Sequence, residues 1–189
     1  LSPAVMERTL FHGTNSYFIP NVRLFAASCK TNLPPNTAFR GFGGPQSMIV
    51  IESALAKAAE KLNIPREQIQ YKNLLQENDL FAYGQKAKDV SIQRSWDQAN
   101  KSFSLEERKK EIQEYNASHF EMKKGLSFMP ICFGISFTAI FLNQASCLVH
   151  IYTDGSISVS TGGVEMGQGF FPKIADIAAT AFGVDRDLI

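Results

Sequence analysis

Two glycine-rich loops carry the residues of this sequence that are best suited to chemistry. The first spans residues 40–44 and begins with an arginine, and the second runs from Gly162 to Gly169. Each loop precedes a predicted helix, so backbone N–H groups and the helix dipole would favour an anionic group such as phosphate. Arg40 could add a bidentate charged contact to such a group. The alternative is that these glycines only form turns.

Other familiar catalytic and nucleotide-binding patterns do not match the sequence. Residues 41–43 begin like the dinucleotide motif G-x-G-x-x-G, but Gln46 stands where the last glycine is required, and no P-loop lysine follows. No G-x-S-x-G nucleophile turn is present. His12, His119 and His150 are far apart in sequence, and we interpret them as surface or internally satisfied side chains rather than metal ligands.

The elements that must position these loops are predicted to be both helices and strands. Apolar residues recur at helical spacing after Pro45, and Ser104-Leu105-Glu106-Glu107 has the form of a capping box. Helices are predicted over residues 45–62, 66–75, 95–103, 105 onward and 171–182. Short strands and turns are predicted over residues 9–28, strands over 124–137, and a hairpin over 148–160 with positive φ at Asp154-Gly155. The fold class is therefore α+β.

Composition and charge exclude several classes of protein. The chain has 189 residues with 19 basic and 18 acidic side chains, so its charge does not favour nucleic acid as a partner. Cys29, Cys132 and Cys147 form no C-x-x-C pair, which predicts buried free thiols in a reducing, cytoplasmic setting. The apolar stretch at residues 135–142 is too short to span a membrane. No signal peptide is recognisable, and we expect the chain to be part of something larger.

Three motifs of the chain resemble the xanthine dehydrogenase/aldehyde oxidase family of molybdenum hydroxylases, in the order and approximate spacing of that family. They are Lys30-Thr31-Asn32-Leu33-Pro34-Pro35-Asn36-Thr37-Ala38-Phe39-Arg40-Gly41-Phe42-Gly43-Gly44-Pro45-Gln46, Phe133-Gly134-Ile135-Ser136-Phe137-Thr138 with Phe141-Leu142-Asn143-Gln144-Ala145, and Tyr152-Thr153-Asp154-Gly155-Ser156 with Gly162-Gly163-Val164-Glu165-Met166-Gly167-Gln168-Gly169. The resemblance implies partial molybdopterin-binding domains, with mixed sheets, hairpins and flanking helices. It implies one lobe over residues 1–88 and the start of a second over residues 89–189.

The resemblance also implies a role for particular residues. Phe42 and Phe137 match two rings that enclose a flat substrate, Thr138 matches a polar group beside it, and Arg8 matches a substrate-orienting arginine of purine-oxidising members. The residues that match contacts to the molybdenum–molybdopterin cofactor are Arg40, Gly41, Met166, Gly167 and Gln168. In the family the metal is held by the sulfur atoms of the pterin and not by protein side chains.

The implied activity is hydroxylation of purines, from hypoxanthine to xanthine to urate, with water as the oxygen source. The family's glutamate base lies in a segment after Ile189, so no catalytic base and no retained cofactor are expected in this chain alone. The implied partners are a flat N-heterocyclic substrate, the remaining segments or subunits with their 2Fe–2S clusters and FAD, and a second copy of the parent enzyme. Two alternatives are an aldehyde oxidase-like enzyme and a non-catalytic, truncated homologue that acts as an interaction module.

Overall fold

A computed structural model describes residues 2–34 and 36–189 of the chain. The described part contains six α-helices, one two-stranded antiparallel sheet and two short 3-10 turns, which confirms the α+β class. The chain divides into two compact units: the first ends at Ile135, and the second runs from Ser136 to Ile189. The lobe division at residue 88 concerns the domains of a larger protein and stays a prediction.

The first helix, α1, spans Pro3–Phe11 and lies partly where the sequence predicted strands. The Ser2 side chain accepts a hydrogen bond from the Val5 N–H, and Pro3 occupies the first turn, which is a standard helix start. The short strands predicted over residues 9–28 do not form. Residues 9–11 belong to α1, because this start signal outweighs the aromatic content of the segment, and beyond α1 Tyr17 forms one isolated bridge with Leu74.

Two predicted helices follow in the first unit: the first is confirmed, and the second forms but ends at Lys72, before the predicted end at Leu75. The helix α2 spans Gly44–Leu62 and ends at Asn63, whose positive φ of 52° closes the last turn. The helix α3 spans Arg66–Lys72. A buried cluster of Tyr17, Leu74 and Trp96 forms in this unit, and Ile51 and Leu55 of α2 pack against it.

The helices α4 (Ile92–Phe103) and α5 (Leu105–Ser118) are joined by a single residue. Ser104 has a φ of 46° and its side chain makes no capping hydrogen bond, so the predicted capping box is wrong. Its left-handed backbone ends α4 and starts α5 in one step, which leaves its hydroxyl without the geometry of a cap. The predicted surface position of the charged helix α5 is confirmed, since most of its side chains are exposed.

The strands predicted over residues 124–137 do not form, and this segment has no regular hydrogen-bonded structure. Alternating apolar residues predict an extended backbone, but a strand also requires a neighbouring strand to accept its hydrogen bonds. Here the backbone of residues 128–134 binds side chains instead, as described below.

The second unit contains the predicted hairpin and the last helix. The strands β1 (Cys147–Ile151) and β2 (Ile157–Thr161) pair with Val149 opposite Val159. In the connecting loop only Gly155 has positive φ, so the same prediction for Asp154 is wrong; its carboxylate instead accepts hydrogen bonds from Ser156. The helix α6 spans Phe170–Phe182 and ends at Gly183, as predicted.

The three cysteines are free thiols in the structure. Their predicted burial is wrong for Cys29 and Cys147, which are exposed, whereas Cys132 is half-buried. Small apolar side chains are often buried, but these two lie in a loop and on a hairpin edge whose described surroundings do not cover them. No helix in the part of the chain that the structure describes combines the length and apolar character needed to cross a membrane.

Candidate active site

The first predicted site loop is a pair of tight turns pressed against α1. Phe42 N–H donates to Phe39 C=O and Gly44 N–H to Gly41 C=O, at 2.8 and 3.0 Å. A Cβ at Gly43 would lie 2.2 Å from the Val5 carbonyl oxygen, so no other residue fits there without movement. The loop is therefore held against the helix that carries Arg8.

The loop presents the predicted residues Arg40, Gly41 and Phe42 in a strained backbone. Arg40 is exposed, whereas Gly41 and Phe42 are half-buried. Phe42 has a φ of 43°, a conformation that bulky residues rarely adopt, between positive φ values at Gly41 and Gly43. The contact of the Phe42 ring with substrate stays a prediction.

The predicted substrate arginine, Arg8, is buried, with only 7% of its surface exposed. Its guanidinium lies over the ring of Phe133, 5.1 Å from the ring centre, and its Nη2 donates a hydrogen bond to the carbonyl of Gly134. Burial lowers the pKa of Arg8 below its usual value, although an arginine stays charged at neutral pH. The structure thus gives Arg8 a structural contact that the sequence did not indicate.

His12 lies one turn after Arg8 and binds the same glycine. Gly134 N–H donates to His12 Nε2 at 3.0 Å, and His12 Nδ1 lies 2.7 Å from the Arg8 carbonyl oxygen. Because Nε2 accepts, Nδ1 must carry the proton and donate, which defines a neutral tautomer. Burial lowers the pKa of His12, and a proton on Nε2 would remove the bond from Gly134.

Two further side chains bind the backbone of segment 128–134. Asn15 Nδ2 donates to Pro130 C=O at 2.8 Å and its Oδ1 accepts from Cys132 N–H at 3.1 Å, as a paired strand would. Gln70 Nε2 donates to Phe128 C=O at 3.1 Å. We call Arg8, His12, Asn15 and Gln70 the side-chain clasp. It holds the segment that leads to the predicted residues Phe137 and Thr138.

The buried carboxylate of Glu52 binds one member of the clasp, Gln70. Glu52, only 5% exposed, accepts hydrogen bonds from Tyr17 Oη at 2.6 Å, Gln70 Nε2 at 2.8 Å and Arg66 Nη2 at 2.6 Å. Burial, together with the hydrogen bond and charge of Glu52, raises the pKa of Tyr17 well above its usual value. The network ties α2 and α3 to the loop that contains Asn15.

In the second unit, Asn143 fixes the backbone of Phe137. Phe137 N–H donates to Asn143 Oδ1 at 2.8 Å, and Asn143 Nδ2 donates to Phe137 C=O at 3.0 Å. Phe137 is exposed over 41% of its surface, and Thr138 is half-buried. Phe42 belongs to the first unit and Phe137 to the second, so their enclosure of one substrate ring stays a prediction.

The second glycine loop, residues 162–169, folds around its own polar side chains. The Glu165 carboxylate accepts hydrogen bonds from Gly167 and Gly169 N–H, and Gln168 Oε1 accepts from Met166 N–H at 2.6 Å. Gln168 Nε2 donates to Val164 C=O at 2.7 Å. The amides that the sequence predicted to receive an external anion are thus occupied by a carboxylate of the chain itself.

The outer side of this loop is nevertheless open to a ligand. A Cβ built at Gly162 or Gly169 would meet no atom within 4 Å, and Met166 and Gly167 are exposed. Open glycine backbone beside fixed amide and carboxamide groups suits a flat pterin, which is recognised through hydrogen bonds and close backbone approach. Among the described residues, no group of three or more His, Cys, Asp or Glu side chains is arranged to hold a metal ion.

Sequence reasoning alone missed four residues that organise the site: His12, Asn15, Asn143 and Glu165. All four bind backbone groups, and backbone partners leave no pattern in a sequence. Glu165 did have a signal, because an acidic residue shortly before a helix start is favoured by the helix dipole.

The sequence of the chain is similar to known molybdopterin-binding domains and to xanthine dehydrogenases. A model of the molybdopterin cofactor-binding domain matches residues 1–74, and a second model with the same description matches residues 98–189. The chain is 46% identical over all 189 residues to a xanthine dehydrogenase/oxidase of Felis catus and to one of Gallus gallus. It is 47% identical over 184 residues, 97% of the chain, to a xanthine dehydrogenase of Emericella nidulans.

The chain spans about 14% of the length of these relatives. Within that span the match is continuous and contains both glycine loops, the clasp segment and the hairpin. The chain therefore belongs to the molybdenum hydroxylase family, as the molybdopterin-binding region of a xanthine dehydrogenase-type sequence.

Proposed function

We propose that this chain is part of the cofactor- and substrate-binding region of an enzyme that hydroxylates purines, from hypoxanthine to xanthine to urate. The observation that carries the proposal is the 46% identity, over the whole chain, to proteins named xanthine dehydrogenase/oxidase. Arg8 supports the purine branch, because a fixed guanidinium can stabilise negative charge on an electron-poor ring. The proposed oxygen source is water.

The proposed substrate residues are Phe42, Phe137, Thr138 and Arg8. Phe42 and Phe137 offer partly exposed rings, which suits the faces of a planar heterocycle. Thr138 can donate or accept one hydrogen bond at the edge of such a ring. The contacts of Arg8 with Phe133 and Gly134 hold its guanidinium in one orientation, which favours recognition of one substrate geometry.

The proposed cofactor residues are Arg40 and Gly41 in the first loop and Met166, Gly167 and Gln168 in the second. The bound cofactor supplies the redox chemistry, and this part of the protein supplies position and hydrogen bonds. The catalytic base, the 2Fe–2S clusters and the FAD are proposed to lie in other segments or subunits of the parent enzyme. We propose that this enzyme is a cytoplasmic homodimer.

Molybdenum content tests the proposal. The purified full-length enzyme is expected to contain molybdenum and pterin in stoichiometric amounts, whereas the 189-residue chain alone is expected to retain neither. The reason is that the chain provides only two of the loops around a cofactor that the whole protein must enclose. Elemental analysis and pterin fluorescence measure both. Stoichiometric molybdenum in the isolated chain, or none in the full-length enzyme, would contradict the proposal.

A further inference from the structure

The carboxylate of Glu165 accepts hydrogen bonds from four backbone N–H groups. It accepts hydrogen bonds from the N–H groups of Gly167 at 2.7 Å, Gly169 at 3.1 Å, Phe170 at 2.6 Å and Phe171 at 3.3 Å. Burial alone would raise the pKa of Glu165, but the four backbone bonds together lower it. The side chain is therefore ionised at neutral pH.

These four amides come from two different pieces of structure. Gly167 lies at the centre of the glycine loop, whereas Gly169, Phe170 and Phe171 form the start of α6, where N–H groups have no partner within the helix. A negative charge at this end is also favoured by the helix dipole. Glu165 thus joins the middle of the loop to the N-terminus of α6.

Other contacts also restrict the conformation of the loop at residues 162–169. Gln168 closes residues 164–168 through both ends of its carboxamide, and Lys173 Nζ donates to the Gln168 carbonyl at 2.9 Å. A Cβ at Gly163 would lie 2.0 Å from the Phe170 ring, so the loop also packs directly on the helix. The exposed edge that remains is the backbone of Met166 and Gly167.

We propose that Glu165 is a positioning residue for the cofactor: its carboxylate holds the Met166–Gln168 loop against α6, so that the exposed edge of the loop is preformed for the pterin. This inference rests on the function proposed above. Glu165 acts through the loop and does not itself contact cofactor or substrate. Removing such a supporting contact typically weakens binding of the held group about 10- to 100-fold.

The test replaces Glu165 in the full-length enzyme by alanine and by glutamine. Glutamine keeps one acceptor oxygen but its amide nitrogen cannot accept from N–H groups, so it should lose about half of the contacts. We expect Glu165→Ala to release molybdenum and pterin together about 10- to 100-fold faster than wild type. Glu165→Gln should be intermediate, and the flavin, iron–sulfur content and melting temperature of Glu165→Gln should stay near wild type.

The matched control is Glu107, an exposed glutamate in the first turn of α5. Glu107→Ala and Glu107→Gln remove a charge from a helix start without loosening the loop, and they should retain the cofactor as wild type does. Wild-type retention in a folded Glu165→Gln variant would overturn the inference. Parallel loss of flavin and iron–sulfur clusters would also overturn it, because that indicates general unfolding. Absence of molybdenum from the wild-type enzyme would instead overturn the proposed function, and this inference with it.

Discussion

Replacing Glu52 by alanine is expected to lower the free energy of unfolding by about 3 kcal/mol, since removing one member of a buried ionic pair leaves its partners unsatisfied. The substitution removes the acceptor shared by Tyr17, Arg66 and Gln70. Gln70 would then lose its orientation toward Phe128, and the clasp on residues 128–134 would weaken. The loss should appear in urea unfolding of the 189-residue chain.

The fluorescence of Trp96, the only tryptophan, can follow this unfolding because the ring packs in the cluster that contains Tyr17. The matched control is Glu60→Ala, the same substitution at an exposed position of the same helix, α2. Exposed substitutions usually change stability by less than about 0.5 kcal/mol. Equal changes in the free energy of unfolding for Glu52→Ala and Glu60→Ala would show that the buried network around Glu52 does not stabilise the fold.

Replacing Arg8 by alanine in the full-length enzyme is expected to lower kcat/KM for xanthine about 100- to 1000-fold, the typical cost of removing a group that stabilises charge in a transition state. Turnover of benzaldehyde, a simple aromatic aldehyde, should fall far less, because its reaction places no charge on a purine ring. Some loss for both substrates is expected, since Arg8 also binds the Gly134 carbonyl and lies over the Phe133 ring, and its removal loosens that segment.

The ratio of the two activities separates these effects. A purely structural role of Arg8 lowers both activities by the same factor, whereas a substrate role changes their ratio. Arg94→Ala, at an exposed arginine of α4, is the control for loss of a positive charge and should change neither activity. Equal losses for xanthine and benzaldehyde in Arg8→Ala would refute the purine-specific role.

The parts of the fold that could be predicted from the sequence are those set by local signals. The helix α2 follows from apolar spacing after Pro45, and the end of α6 follows from Gly183. The hairpin follows from alternating residues around Gly155. In each case the residues that determine the element lie within it or next to it.

The segment 124–137 shows why the rest could not be predicted. Its alternating pattern predicts strands, but its backbone partners are side chains of the first helix, the following turn and α3. The hydrogen bonds of Asn15 with Pro130 and Cys132 join residues that are separated by 115 and 117 positions in the sequence. No local sequence signal near residue 130 predicts them. The same reason explains why Arg8 was interpreted only as a substrate residue, since its contact with Gly134 is equally remote in sequence.

The candidate site divides in a similar way. The loops at residues 40–44 and 162–169 were recognisable because a run of glycines is a local signal. The groups that hold those loops, such as Thr9 beside Gly43 and Glu165 at α6, are single residues of common types. Their importance comes from the backbone atoms that they contact, and only the folded structure specifies those atoms.

Purine hydroxylation with water as the oxygen source is tested by the origin of the oxygen that the full-length enzyme adds to xanthine. With water that contains a heavy oxygen isotope and ordinary dioxygen, we expect urate that carries the heavy isotope. With heavy dioxygen in ordinary water, it predicts unlabelled urate. Mass spectrometry of the product distinguishes the two cases. Urate labelled from dioxygen, or no urate from an enzyme that contains molybdenum and pterin, would contradict the assignment of this chain to a purine hydroxylase.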